Sequence, residues 1–83
     1  MSGFTADAIG LVGSALFLIA FAYANLSPAF DKLWFNAANL VGSVLLLISL
    51  SVHFNLPATV LESVWGVIAA AGLIAAIRKR SLA

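Results

Sequence analysis

Between Asp7 and Asp31 the chain carries no charge: every residue from Ala8 to Phe30 is apolar, small or uncharged polar. A helix needs about 20 such residues to cross a hydrocarbon core roughly 30 Å thick, so this run alone is long enough to span a bilayer. A second block lies between Lys32 and Glu62, interrupted by His53, Asn55 and Pro57. A third runs from Pro57 to Ile77 and holds one acid, Glu62. In lipid the backbone must satisfy its own hydrogen bonds, which leaves helices or closed barrels, and barrel strands would be shorter and alternate in polarity. The pattern predicts an all-α membrane fold, a single domain over residues 1–83 with transmembrane helices near 6–24, 33–52 and 57–77.

Composition agrees. Of 83 residues, 64% are apolar and 8% charged, with mean hydropathy +1.16, whereas a soluble domain carries about a quarter charged residues. A soluble fold this short buries too little of its chain to hide so much apolar surface. A soluble enzyme, a disordered tail and a disulfide scaffold are therefore excluded. The chain has no cysteine, hence neither a disulfide nor a thiolate metal ligand. No nucleophile–base pair, phosphate loop or nucleic-acid patch is recognisable, and His53, beside Phe54 in the second loop, has no second ligand at metal-binding spacing. The expectation is a protein that is not an enzyme, holds no cofactor and binds no nucleic acid.

Turn chemistry marks the breaks. Ser27-Pro28 reads as a cap followed by proline at the first helical position, opening the second helix with Phe30 and Trp34 at the lipid interface. Asn55-Leu56-Pro57 does the same for the third helix, and so short a connection makes the second and third helices antiparallel neighbours. Lys32 lies in the first loop, and Arg78, Lys79 and Arg80 follow the last span. By the positive-inside rule these four residues are a cytoplasmic anchor, able to touch anionic lipid, with the amino end outside a bacterial inner membrane. Ala22-Tyr23-Ala24 matches a small-x-small cleavage site, but the segment before it carries Asp7 and no Lys or Arg, so the first span is expected to be retained.

Glu62 is the most informative polar residue. It lies about one and a half turns inside the third span, roughly 7 to 8 Å below its outer end, and an acid within a span is by default a functional candidate. Counting depth along antiparallel helices places Ser14 and Ser49 at the level of Glu62. Tyr23, Asn36 and Asn39 form a second layer, with Ser43 between the two. Asn36, Asn39 and Ser43 share one helix face, which should avoid lipid. Such residues either form interhelical hydrogen bonds worth about 1 kcal/mol or less each, or line a route for a small solute or proton. No matching charge is present to make a relay. Trp65, one turn from Glu62, either closes one side of a pocket or turns its ring to lipid or a partner.

Small residues recur every four positions in all three helices: Ala6, Gly10 and Ser14; Ala38 and Gly42; and Gly66 and Ala70, in the same row as Glu62. Such rows let backbones approach, and three of them predict association with other membrane subunits or a second copy. Leu11-Val12-Gly13-Ser14-Ala15-Leu16-Phe17-Leu18-Ile19 also reappears as Leu40-Val41-Gly42-Ser43-Val44-Leu45-Leu46-Leu47-Ile48. Because the two helices run oppositely, a true repeat would be inverted, as in many transporters.

Asn39-Leu40-Val41-Gly42-Ser43, continuing to Leu50, and Asn55-Leu56-Pro57 leading to Leu61-Glu62 and Trp65 resemble a family of small bacterial three-helix membrane proteins, often labelled permeases. More distantly, the layout is similar to the SemiSWEET, PQ-loop half-transporters, which are dimeric and move small sugars. In that class an asparagine five residues past the Leu-Pro of the third helix lines the substrate site, and here that position is Glu62. Tyr23-Ala24 replaces the Pro-Gln hinge of that class, and Leu46 stands where its substrate-stacking tryptophan would be. The leading expectation is an accessory or stabilising subunit of a larger membrane complex, with respiratory or photosynthetic assemblies as candidate hosts. The alternative is a homodimeric permease with Glu62, Asn39, Ser14 and Trp65 along a central route.

Overall fold

The computed structural model describes residues 1–82 and consists of three helices, α1 (Gly3–Leu26), α2 (Lys32–Leu50) and α3 (Leu56–Leu82). Each is long and apolar enough to cross a membrane, and the described residues contain no strand. The longest dimension, 45 Å, is comparable to a bilayer with its headgroups, about 40–45 Å.

The helix ends differ from the sequence expectation in ways that local chemistry explains. α1 starts three residues early because the Ser2 side chain accepts the Thr5 N–H at 3.1 Å, satisfying a donor that the helix cannot. Ser27 does not open α2. It closes α1, donating its N–H to Tyr23 O at 3.1 Å, and Asp31 is the cap of α2, with Oδ1 accepting the Leu33 N–H at 3.0 Å. Pro28 therefore belongs to the connection. α2 stops at Leu50, where Ser51, Val52 and His53 turn their N–H groups back onto Leu47, Ile48 and Ser49. Asn55 caps α3, its Oδ1 accepting the Ala58 N–H at 3.1 Å. α3 continues past Ile77 through Arg78, Lys79 and Arg80, cations that a helix carboxyl end favours.

α2 is the central helix: α1 and α3 each pack along it and not along each other. The buried residues are small or polar, namely Ala6, Gly10, Gly13 and Ala20 on α1, Asn39, Gly42 and Ser43 on α2, and Ala69 on α3. Large apolar side chains such as Leu11, Leu18, Phe21, Val67 and Ile68 point outward. This is the distribution expected where the surroundings are hydrocarbon and helices associate by close backbone approach.

The repeated segments meet at the α1–α2 crossing. A Cβ on Gly13 would lie 2.9 Å from Gly42 O and 3.1 Å from Leu46 Cγ; one on Gly42 would lie 3.0 Å from Gly13 O and 2.8 Å from the Phe17 ring. Gly13 matches Gly42 in the repeat and Phe17 matches Leu46, so the contact is reciprocal. The antiparallel pair thus has local two-fold symmetry. Gly10 lies against Ser49, and Gly66 against Ser43. Gly10, Gly42 and Gly66, members of the small-residue rows, thus serve close approach within the chain. Gly42 and Ser43 are successive residues, about 100° apart around a helix of 3.6 residues per turn, so α2 offers one close-packing face to α1 and another to α3.

Candidate functional site

The polar core is built on the α3-facing side of α2. Ser43, fully buried, donates its hydroxyl to Glu62 O at 3.4 Å. Four residues away, Asn39 donates Nδ2–H to Phe35 O at 2.8 Å, within its own helix. That leaves Oδ1 free to accept from Trp65 Nε1–H at 3.0 Å. The Trp65 ring lies tilted on Phe17, with centroids 6.2 Å apart. One residue from each helix therefore meets at this point, with Phe17 from α1, Asn39 from α2 and Trp65 from α3. An amide–indole bond away from water holds orientation as well as energy, since either group alone would be left unpaired.

Glu62 Oε2 is buried and has no hydrogen-bond partner among the described residues. Such an oxygen is costly in an apolar setting. The hydroxyl that reaches this residue is Ser43 and not Ser49, which faces Gly10. Ser14 is half-buried beside Gly13. Asn36 donates Nδ2–H to Lys32 O at 2.8 Å and lays its carboxamide over Gly72, where a Cβ would lie 2.5 Å from Oδ1. Ala38 and Ala70 are half-buried along the helix contacts.

Tyr23 does not join the layer of Asn36 and Asn39. Its hydroxyl accepts the Asp31 N–H at 2.6 Å, and its ring meets Phe30 edge-on at 6.1 Å, with Phe30 in turn 5.2 Å from Phe35. Phe30 is thus drawn into a cluster under the first connection, whereas Trp34 remains exposed. Asp31, which the sequence reading used only as a boundary, organises this end: it caps α2 and its Oδ2 pairs with Arg80 of α3. Its position directly before a helix was the available signal. At the other end His53 Nε2 lies 3.0 Å from Asp7 Oδ1 and 3.3 Å from Gly3 O, tying the second connection to α1.

Because α1 and α3 touch only through side chains, an open groove of about 510 Å³ runs between them on one side of α2, walled by Phe17, Leu18, Phe21, Phe35, Asn39 and Trp65. Phe17 was missed by the sequence reading, being one of many apolar residues in its run. Its match to Leu46 in the repeat gains meaning only in the structure, where Leu46 lies against Gly13 and Phe17 against Gly42.

The site thus sits in a bundle of three helices, each long and apolar enough to cross a membrane, packed through glycine and serine. The chain belongs to a protein family whose sequence model matches residues 6–80. No curated protein and no solved structure matches it.

Proposed function

We propose that this is a non-enzymatic protein of a bacterial inner membrane that acts by helix packing, as an accessory or stabilising subunit of a larger membrane assembly. Respiratory or photosynthetic complexes are candidate hosts. The observation that supports this reading is the open side of the bundle. With its glycine faces spent within the chain, the groove between α1 and α3 is the place where aromatic walls, and two amides already hydrogen-bonded within the chain, Asn25 to Phe21 O and Asn39 to Trp65, await an apolar helix. The four basic residues set the carboxyl end on the cytoplasmic side.

The test is native mass spectrometry of the protein extracted gently from its own membrane, with Leu18→Trp as the variant. Leu18 is exposed in the groove, so a larger side chain obstructs the groove without entering the α1–α2 contact. Co-isolation with larger subunits at fixed stoichiometry, lost in Leu18→Trp at unchanged thermal stability, is the expected result. Isolation without any other subunit, from wild type and variant alike, overturns it.

A second reading, a homodimeric permease of the SemiSWEET kind for a small solute, is favoured by one observation, the buried and unpartnered Glu62 Oε2. On that reading Glu62, Asn39, Ser14 and Trp65 line the route. Glu62→Gln keeps shape and removes ionisation, so pH-dependent uptake into proteoliposomes should disappear. Undiminished uptake rules out Glu62 as the coupling group.

A further inference from the structure

At the end of the bundle that carries every Lys and Arg of the chain, we propose a binding cleft for the phosphate of an anionic phospholipid headgroup. A cavity of about 530 Å³ opens between the start of α2 and the last turns of α3. Its walls are Lys32 and Leu33 from α2, and Ala75, Ala76, Lys79 and Arg80 from α3. The α3 residues are spaced i, i+1, i+4 and i+5, which is one helix face. Arg78 falls outside that face and does not line the cleft.

The charge balance singles out a small anion. Asp31 also lines the cavity and pairs with Arg80, so three cations and one carboxylate leave a surplus of two positive charges, on Lys32 and Lys79. Both side chains are exposed at the rim. The other lining residues, Phe30, Leu33, Ala75 and Ala76, are apolar, and Leu33, Ala75 and Ala76 lie on the side of the two lysines from which the helices run on into their hydrophobic length. A charged head above an apolar body is the shape of a lipid, and basic recesses between transmembrane helices suit anionic headgroups. Free phosphate shares the headgroup chemistry but makes no use of the apolar floor. The Asp31–Arg80 pair joins the first connection to α3 and so holds the two walls in place.

The experiment is native mass spectrometry of the full chain released from nanodiscs of equimolar phosphatidylglycerol and phosphatidylcholine, comparing wild type with Lys32→Gln, Lys79→Gln and Arg78→Gln. All three positions are exposed, so folding should be preserved, and helical circular dichroism checks it. The expected result is preferential retention of phosphatidylglycerol, reduced roughly fivefold by each lysine substitution and unchanged in Arg78→Gln. Equal retention of both lipids, or the same loss in Arg78→Gln, would reduce the effect to diffuse surface charge and overturn the cleft. Displacement of phosphatidylglycerol by millimolar inorganic phosphate would assign the cleft to the free anion and overturn the lipid.

Discussion

Gly13 and Gly42 face each other across the α1–α2 crossing, each α-carbon turned toward the other's carbonyl oxygen. Glycine is needed here for space, since neither residue has a positive φ. At this separation Cα–H groups can also approach carbonyl oxygens, a weak contact that recurs between close-packed helices.

Glycines in the helix contacts should therefore respond differently to alanine. Gly13→Ala and Gly42→Ala drive a methyl group against backbone oxygen, which cannot rotate away, and each should destabilise the protein by about 1–3 kcal/mol. Gly66→Ala meets the Ser43 side chain at 3.3 Å and should cost less. Gly72→Ala falls between, because Asn36 must give up its bond to Lys32 O to make room. Thermal unfolding in one detergent ranks them, and a Gly66→Ala loss equal to that of Gly42→Ala would contradict the geometry.

The Trp65–Asn39 bond is open to a double-mutant cycle. Trp65→Phe and Asn39→Leu each break the same bond, and each should cost about 0.5–1.5 kcal/mol plus any packing loss. Combined, they should cost clearly less than the sum. Additive losses would mean that the two side chains contribute independently.

At the first connection, Asp31→Ala removes the cap of α2 as well as the partner of Arg80, and a loss of about 0.5–2 kcal/mol is expected. Asp31→Asn keeps the cap and gives up only a partly exposed ion pair, worth about 0–1 kcal/mol. Equal losses in the two variants would assign the effect to the pair. Tyr23→Phe, which leaves the Asp31 N–H without its acceptor, should lower the unfolding midpoint as well.

Orientation is directly measurable, because the chain lacks cysteine. A membrane-impermeant maleimide applied to intact spheroplasts should label Ser2→Cys. Ser81→Cys should react only after lysis. The reverse pattern would place the basic end outside and overturn the positive-inside assignment.

The three helices were legible in the sequence because apolar runs of this length, with at most one charge inside, have one outcome in lipid. The caps were half legible: Asn55 does what its type suggests, whereas Ser27 and Asp31 are both good capping residues and only the folded chain chose between them. The face shared by Asn36, Asn39 and Ser43 was also readable, since helical periodicity alone puts it there. Tyr23 was misassigned because depth counting ignores a long side chain that reaches back to the connection.

By itself the sequence determined three helices long and apolar enough to cross a membrane, which polar side chains lie within them, and which end is basic. All of these follow from local composition, periodicity and backbone satisfaction. Tertiary structure alone decided that α2 is central, that the repeated glycines close on each other instead of on a partner, that Trp65 finds Asn39, and that Lys32 shares a cleft with Lys79. Those outcomes depend on the rotation of each helix about its own axis. Where the surroundings are as apolar as the side chains, hydrophobicity does not set that rotation, and close packing and a few hydrogen bonds do.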